Sequence, residues 1–195
     1  MKTAMRVAVV SLILAFSAAA SPAIAKDRYL FSNFGLIGKY SNDYELRLGL
    51  GAYDTGIFSH HKFNGADIYG ELLFPSPDFL YWLGSPRPHI GVDIASRSHA
   101  IDFAYGGLTW DTYFTQRLFT TESLGIAITS ATNLHDPTDY KPMGCKVLFH
   151  LGAGIGYDIT KDISLQLYAD HFSNAKLCNP DAGAESAGLR IGYRF

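Results

Sequence analysis

Apolar and polar residues alternate along most of the chain beyond residue 42. Tyr44, Leu46, Leu48, Leu50 and Ala52 fall on one parity, and Glu45, Arg47, Gly49 and Gly51 on the other. Val147, Phe149, Leu151, Ala153, Ile155 and Tyr157 repeat the pattern against Lys146, His150, Gly152, Gly154 and Asp158. A period of two is the signature of a strand with one apolar face. Turn residues divide the pattern into eight expected strands, at 43–54, 63–74, 87–96, 100–111, 117–131, 144–160, 162–174 and 184–195. The fourth and fifth alternate less cleanly. Residues 26–42 carry no assignment, and no strong amphipathic helix, internal repeat or low-complexity segment stands out.

A soluble sandwich also alternates. Three features favour a membrane barrel instead. Most of the segments reach the roughly 9–11 residues a tilted transmembrane strand needs. The chain starts with an export-type segment, and its last strand stops on an aromatic, Phe195. The expected fold is therefore all-β, an eight-stranded antiparallel transmembrane β-barrel with apolar residues outside and a side-chain-filled interior. Both ends of an even-stranded barrel lie on the periplasmic side, so odd strands run outward. Residues 132–143 and 175–183 then become surface loops. Residues 75–86 become a periplasmic turn longer than such turns usually are.

The export segment is 1–25. Lys2 and Arg6 precede the apolar run Val7–Ala20, and Ala23-Ile24-Ala25 fits small-x-small cleavage, with Lys26 as the expected mature start. The alternative, a retained anchor, needs a span of about 20 apolar residues, which the run does not reach. Residues 26–195 are then a single barrel domain. Losing Lys2 and Arg6 takes the formal net charge of −2 to about −4, which argues against a nucleic-acid partner. Cys145 and Cys178 are the two cysteines. An oxidising compartment permits a disulfide between them, and two free thiols are the alternative.

Strand parity brings chemistry to the last hairpin. Leu165, Leu167, Ala169, His171 and Ser173 share the apolar, outward face of the seventh strand. Glu185, Ala187, Leu189, Ile191, Tyr193 and Phe195 share that of the eighth, while Arg190, Gly192 and Arg194 point inward. Polar groups on a lipid-facing wall are costly unless paired or functional. A Ser-His-Glu chain would pair them. Ser173 is the candidate nucleophile, His171 its base and later acid, and Glu185 the group that fixes the imidazole. Asn174 is the candidate oxyanion donor, together with nearby backbone amides. Asp170 and Asp181 are alternative partners of His171, one of inward parity and one in the loop. His60, His61, His89, His99, His135 and His150 lack metal-ligand spacing and read as rim or interior residues. The bland alternative is a polar barrel rim with turn chemistry at Asn174 and Pro180-Asp181-Ala182-Gly183.

His171-Phe172-Ser173-Asn174-Ala175, the loop to Gly183, Glu185 and the Leu189–Phe195 end resemble the PagL family of outer-membrane lipid A 3-O-deacylases, also labelled acyloxyacyl hydrolases. The strongest resemblance spans about residues 144–195. It implies an eight-stranded barrel in the outer membrane with a Ser-His-Glu triad on its outer wall at His171, Ser173 and Glu185, and Asn174 as oxyanion residue. Asp181 stands where the family's best-known members are expected to have Asn. The implied activity is a cofactor-free, metal-independent serine esterase that removes the 3-O-linked 3-hydroxyacyl chain of lipid A in lipopolysaccharide. Lys141 and Lys176 are then candidate contacts for substrate phosphates. A homodimer is compatible with the sequence. The rival readings are a non-catalytic small barrel, adhesive or structural, and a lipid acyltransferase of the same shape.

Overall fold

The computed structural model describes residues 38–55, 65–96, 100–135 and 141–195. The 1–25 segment and His60, His61 and His99 lie outside the described residues. Eight antiparallel strands form a closed barrel in sequence order: β1 (Glu45–Tyr53), β2 (Ala66–Leu73), β3 (Arg87–Ala95), β4 (Phe103–Tyr113), β5 (Leu118–Thr129), β6 (Val147–Asp158), β7 (Ile163–Ser173) and β8 (Ala184–Arg194). β1 closes the sheet against β8, with Leu48 opposite Ile191 and Ala52 opposite Ala187. No helix among the described residues is long and apolar enough to cross a membrane.

All eight expected strands are present, every end within three residues of the sequence reading. β4 is the one displaced as a whole, running from 103 to 113 rather than 100 to 111. Its centre is Gly106-Gly107, where the backbones of β4 and β5 approach closely. A Cβ on Gly107 would lie 2.1 Å from the Leu124 carbonyl oxygen. Two adjacent glycines erase the side-chain alternation that sets strand limits in a sequence.

The alternation sorts the side chains as expected. Leu48, Ile68, Ile126, Leu151, Leu167 and Leu189 are exposed on the outer wall. Charged and aromatic side chains are buried within. At the end carrying the start of β1, the end of β8 and the turns 114–117 and 159–162, Arg47 bonds Glu45 at 2.8 Å and Asp111 at 2.6 Å, and Arg87 bonds Glu45 at 2.5 Å. Further up, Arg190 bonds Glu71 at 2.9 Å and Gln166 at 2.5 Å, and lies 3.6 Å from the centre of the Tyr168 ring. Tyr168 finds room because its ring reaches past its register partner Gly154 to lie over Gly152 of β6, where a Cβ would lie 1.9 Å from the phenol oxygen. At the other end, which carries the long loops, an apolar cluster of Ile101, Phe103, Tyr105, Met143, Leu148 and Phe172 fills the interior.

Two connections at the turn end share one chemistry. Thr115 Oγ1 accepts from the amides of Arg117 and Leu118, and Thr160 Oγ1 accepts from those of Asp162 and Ile163. A hydroxyl standing in for a backbone acceptor makes a tight turn. The connection from β2 to β3 is different. Pro75 and Pro77 cannot donate to a ladder, and a 3-10 helix, Asp78–Leu83, follows, capped by Gly84 at φ 88°.

Candidate active site

The loop ends of β7 and β8 are held in register, with Asp170 opposite Ser186, His171 opposite Glu185 and Phe172 opposite Ala184. Odd positions of both strands face outward, so His171 and Glu185 leave the wall on the same side. Their side chains meet at 2.8 Å between Nδ1 and Oε1. A carboxylate only accepts, so Nδ1 carries the hydrogen and Nε2 is the basic nitrogen. Glu185 is buried and His171 is 22% exposed, which leaves the imidazole reachable from the outer wall. The Glu185 carbonyl also accepts from the Thr55 amide at 3.0 Å, tying β8 to the end of β1.

Ser173 ends β7 on the same face, half-buried and opposite Phe149 of β6. It lies two residue steps along the strand from His171, about 6.6 Å of rise. Between them Phe172 points inward. Its ring stacks on Phe103 with centroids 4.1 Å apart and on His150 at 4.8 Å. The inward ring fixes the strand that presents His171 and Ser173 outward. The sequence shows this residue in the motif but not its role, which depends on a partner from β4.

Asn174 follows Ser173 and therefore has the opposite parity. Its side chain is buried, and Nδ2 donates to the carbonyls of Met143 at 2.9 Å, Pro180 at 3.0 Å and Cys178 at 3.3 Å. Of the two ends of the side-chain amide, only the nitrogen can donate to these carbonyls. The side chain expected to donate to an oxyanion is thus engaged in joining the loop before β6 to the loop after β7. The Cys145–Cys178 disulfide joins the same two loops, with Cα atoms 5.9 Å apart. Gly144 lies between them at φ 68°, with no room for a Cβ beneath the Pro180 carbonyl.

The chain then turns sharply. Ala175 and Lys176 both have positive φ, 52° and 64°, and the Leu177 amide donates to the Asn174 carbonyl at 3.0 Å. This is the pattern of a type I′ turn, which usually takes Asn or Gly at both positions. An Ala and a Lys there store backbone strain of order 1–3 kcal/mol each. The strain lies directly beyond Ser173, and the Asn174 bonds and the disulfide hold it in place.

The other candidates fall elsewhere. Asp170 points into the barrel, where Oδ1 accepts from the Ser186 amide at 3.3 Å. Asp181 is exposed in the loop. His89 and His150 are buried in the interior and His135 is exposed in a loop. Lys176 is exposed, but Lys141 is not a solvent-facing cation. It is buried and ion-paired to Asp54, a residue of the loop after β1. Sequence reasoning missed this pair because its members are far apart in the chain and neither belongs to a motif.

The family model for lipid A 3-O-deacylase (PagL) matches residues 65–194. Among solved structures, the chain is similar to the outer membrane enzyme PagL, at 15% identity and a TM-score of 0.55, covering 76% of this chain and 98% of that one. Neisserial surface protein A is similar at 11% identity and a TM-score of 0.55, covering 80% and 98%. A transmembrane β-barrel designed de novo is similar at 11% identity and 0.54, covering 81% and 99%. No curated protein matches the sequence. A designed barrel aligns as well as an enzyme, so these structural likenesses speak to the barrel alone.

Proposed function

The chain belongs to the lipid A 3-O-deacylase (PagL) family, and from that premise we propose that it is an outer-membrane serine esterase that removes the 3-O-linked 3-hydroxyacyl chain of lipid A. The observation that carries the reading is the His171–Glu185 pair on the outer wall, with Ser173 two residues along the same face. A substrate that lies in a leaflet reaches such a site laterally. The turn end is assigned to the periplasm and the loop end to the cell surface, after removal of residues 1–25 on export. That orientation sets the triad at outer-leaflet level.

In this reading Ser173 Oγ attacks the ester carbonyl while Nε2 of His171 takes its proton. Glu185 holds the imidazole through Nδ1 and stabilises its cationic form. The tetrahedral intermediate collapses, His171 returns the proton to the departing 3-hydroxyl of the glucosamine, and an acyl-enzyme remains. Water activated by His171 then releases the 3-hydroxy fatty acid. The amides of Ala175 and Lys176 belong to the turn beyond the nucleophile and are the nearby backbone donors for the oxyanion. Asn174 serves by fixing that turn. No cofactor or metal enters a step.

Mass spectrometry of lipid A from cells with and without the protein tests the proposal. Loss of one hydroxyacyl chain supports it, gain of a chain points to acyl transfer, and no change points to a non-catalytic barrel. Ser173→Ala should abolish the loss while the protein still runs as a heat-modifiable folded barrel.

A further inference from the structure

The long connection between β2 and β3 is built as a rigid element rather than a slack loop. Tyr40 Oη donates to Asp78 Oδ1 at 2.8 Å, and Trp110 Nε1 donates to the Leu83 carbonyl at 2.8 Å. Ser76 Oγ donates to the Ser85 carbonyl at 2.9 Å, and the Gly84 amide closes the helix onto Tyr81 at 3.1 Å. The same 3-10 helix leaves Phe79 75% and Trp82 71% exposed. Residues three apart eclipse in a 3-10 helix, so the two rings share one face. Asp78 is the one charged residue of the helix and is bonded to Tyr40.

The side of the wall this face occupies follows from Trp110. In β4, Phe103, Tyr105, Thr109 and Asp111 are buried inward, so Trp110 has outward parity. Its bond to Leu83 therefore sets the C-terminal end of the helix on the outside of the barrel. Around the same end runs a chain of aromatics. Tyr44 contacts Phe74 at 5.9 Å and Phe195 at 6.0 Å, and Phe195 contacts Tyr193 at 6.1 Å. Phe79 and Trp82 are exposed on the helix that Trp110 holds at this same end. Aromatic rings gather at the water–hydrocarbon boundary, where an amphipathic ring suits both sides.

We infer that the Asp78–Leu83 helix is an interfacial anchor, with Phe79 and Trp82 seated in the phospholipid interface of the inner leaflet beside β3 and β4. The inference rests on the membrane placement proposed above. Its occupant is lipid because the face lies outside the wall at the end that carries the chain of aromatics.

Trp82 and Trp110 are the two tryptophans of the chain, which makes the helix readable by fluorescence. The full barrel is reconstituted in phospholipid nanodiscs, with Trp110→Phe leaving Trp82 as the probe. Phospholipid brominated near the glycerol should quench most of the Trp82 emission, and aqueous iodide should leave it nearly unchanged. Strong quenching by iodide with none by bromolipid would overturn the anchor and leave the face to a periplasmic protein. Trp110→Phe also removes the bond to Leu83, so the difference between the parent chain and Trp82→Phe supplies the Trp82 signal with that bond intact. Insertion as a heat-modifiable barrel is scored separately. A chain that does not insert overturns the membrane placement and the anchor with it, whereas an inserted chain with a solvated Trp82 overturns the anchor alone.

Discussion

His171 on β7 and Glu185 on β8 are register partners whose side chains meet on the outer wall at 2.8 Å. Zipping the last hairpin therefore brings the two side chains together, and Phe172 stacked on Phe103 of β4 holds the strand that presents them. In the proposed esterase, Glu185→Gln keeps the shape but cannot stabilise an imidazolium. We expect deacylation to fall by about 10²–10⁴-fold, with Ser173→Ala at the lower limit of detection. Release of 3-hydroxy fatty acid from purified lipopolysaccharide measures both. Full activity in Glu185→Gln would remove Glu185 from the mechanism.

Asn174 gives a contrast between two roles. Asn174→Ala leaves three carbonyls short of a donor, and Asn174→Asp sets a carboxylate against them. Each should loosen the loop at an expense of about 1–3 kcal/mol per stranded polar group, with Asp the worse. Trypsin cleavage after Lys176 reads this directly, slow in the parent and fast in the variants. Activity lost in Asn174→Ala with the loop still protected would instead assign the side chain to the substrate.

The Cys145–Cys178 bridge brackets the β6–β7 hairpin at a sequence separation of 33. On the chain-entropy account, a loop of that size is worth about 3–4 kcal/mol. Replacing both cysteines with serine should lower the unfolding midpoint accordingly. Activity should fade at a lower temperature than the barrel melts, since the loops beside Ser173 lose their covalent tie while the sheet keeps its ladder. Thermal gel-shift and activity curves that coincide in the variant would contradict this.

Arg190 and Glu71 form a buried pair inside the barrel, both 1% exposed. Removing one partner strands a charge in the interior. Glu71→Gln should destabilise by about 3–5 kcal/mol, read as a lower urea midpoint for folding into lipid. An unchanged midpoint would mean that water or Gln166 takes over the guanidinium.

Leu167 lies at the middle of β7, exposed on the outer wall. If lipid covers that wall, Leu167→Arg should lose about 2–4 kcal/mol of folding free energy in a bilayer. A substitution tolerated at no loss would mean that water covers this face.

How much of this was legible in the sequence depended on range. Parity alone placed His171, Ser173 and Glu185 on one side, because a period of two survives wherever side chains alternate. The same rule, carried one residue further, sends Asn174 the other way, and its three carbonyl partners lie in loops that no local pattern joins. Lys141 was opaque because its partner, Asp54, comes from a distant loop and nothing local marks the pair. Gly106-Gly107 hid the limits of β4, and one Asp followed by five aromatic and aliphatic residues gave no period from which to read a 3-10 helix. The cysteines were readable as a permitted bridge, but only the register of β6 on β7 brings them together.

The packed interior has a consequence for the cell. Arg47, Arg190, Tyr168 and Phe172 are almost wholly buried across successive levels of the barrel, so the wall encloses side chains rather than a channel. Many copies inserted in a bilayer would open no leak to ions or small solutes, and a planar bilayer carrying them would stay at baseline conductance. In the proposed esterase, remodelling of a lipid leaflet would thereby be separated from the permeability of the membrane that holds it.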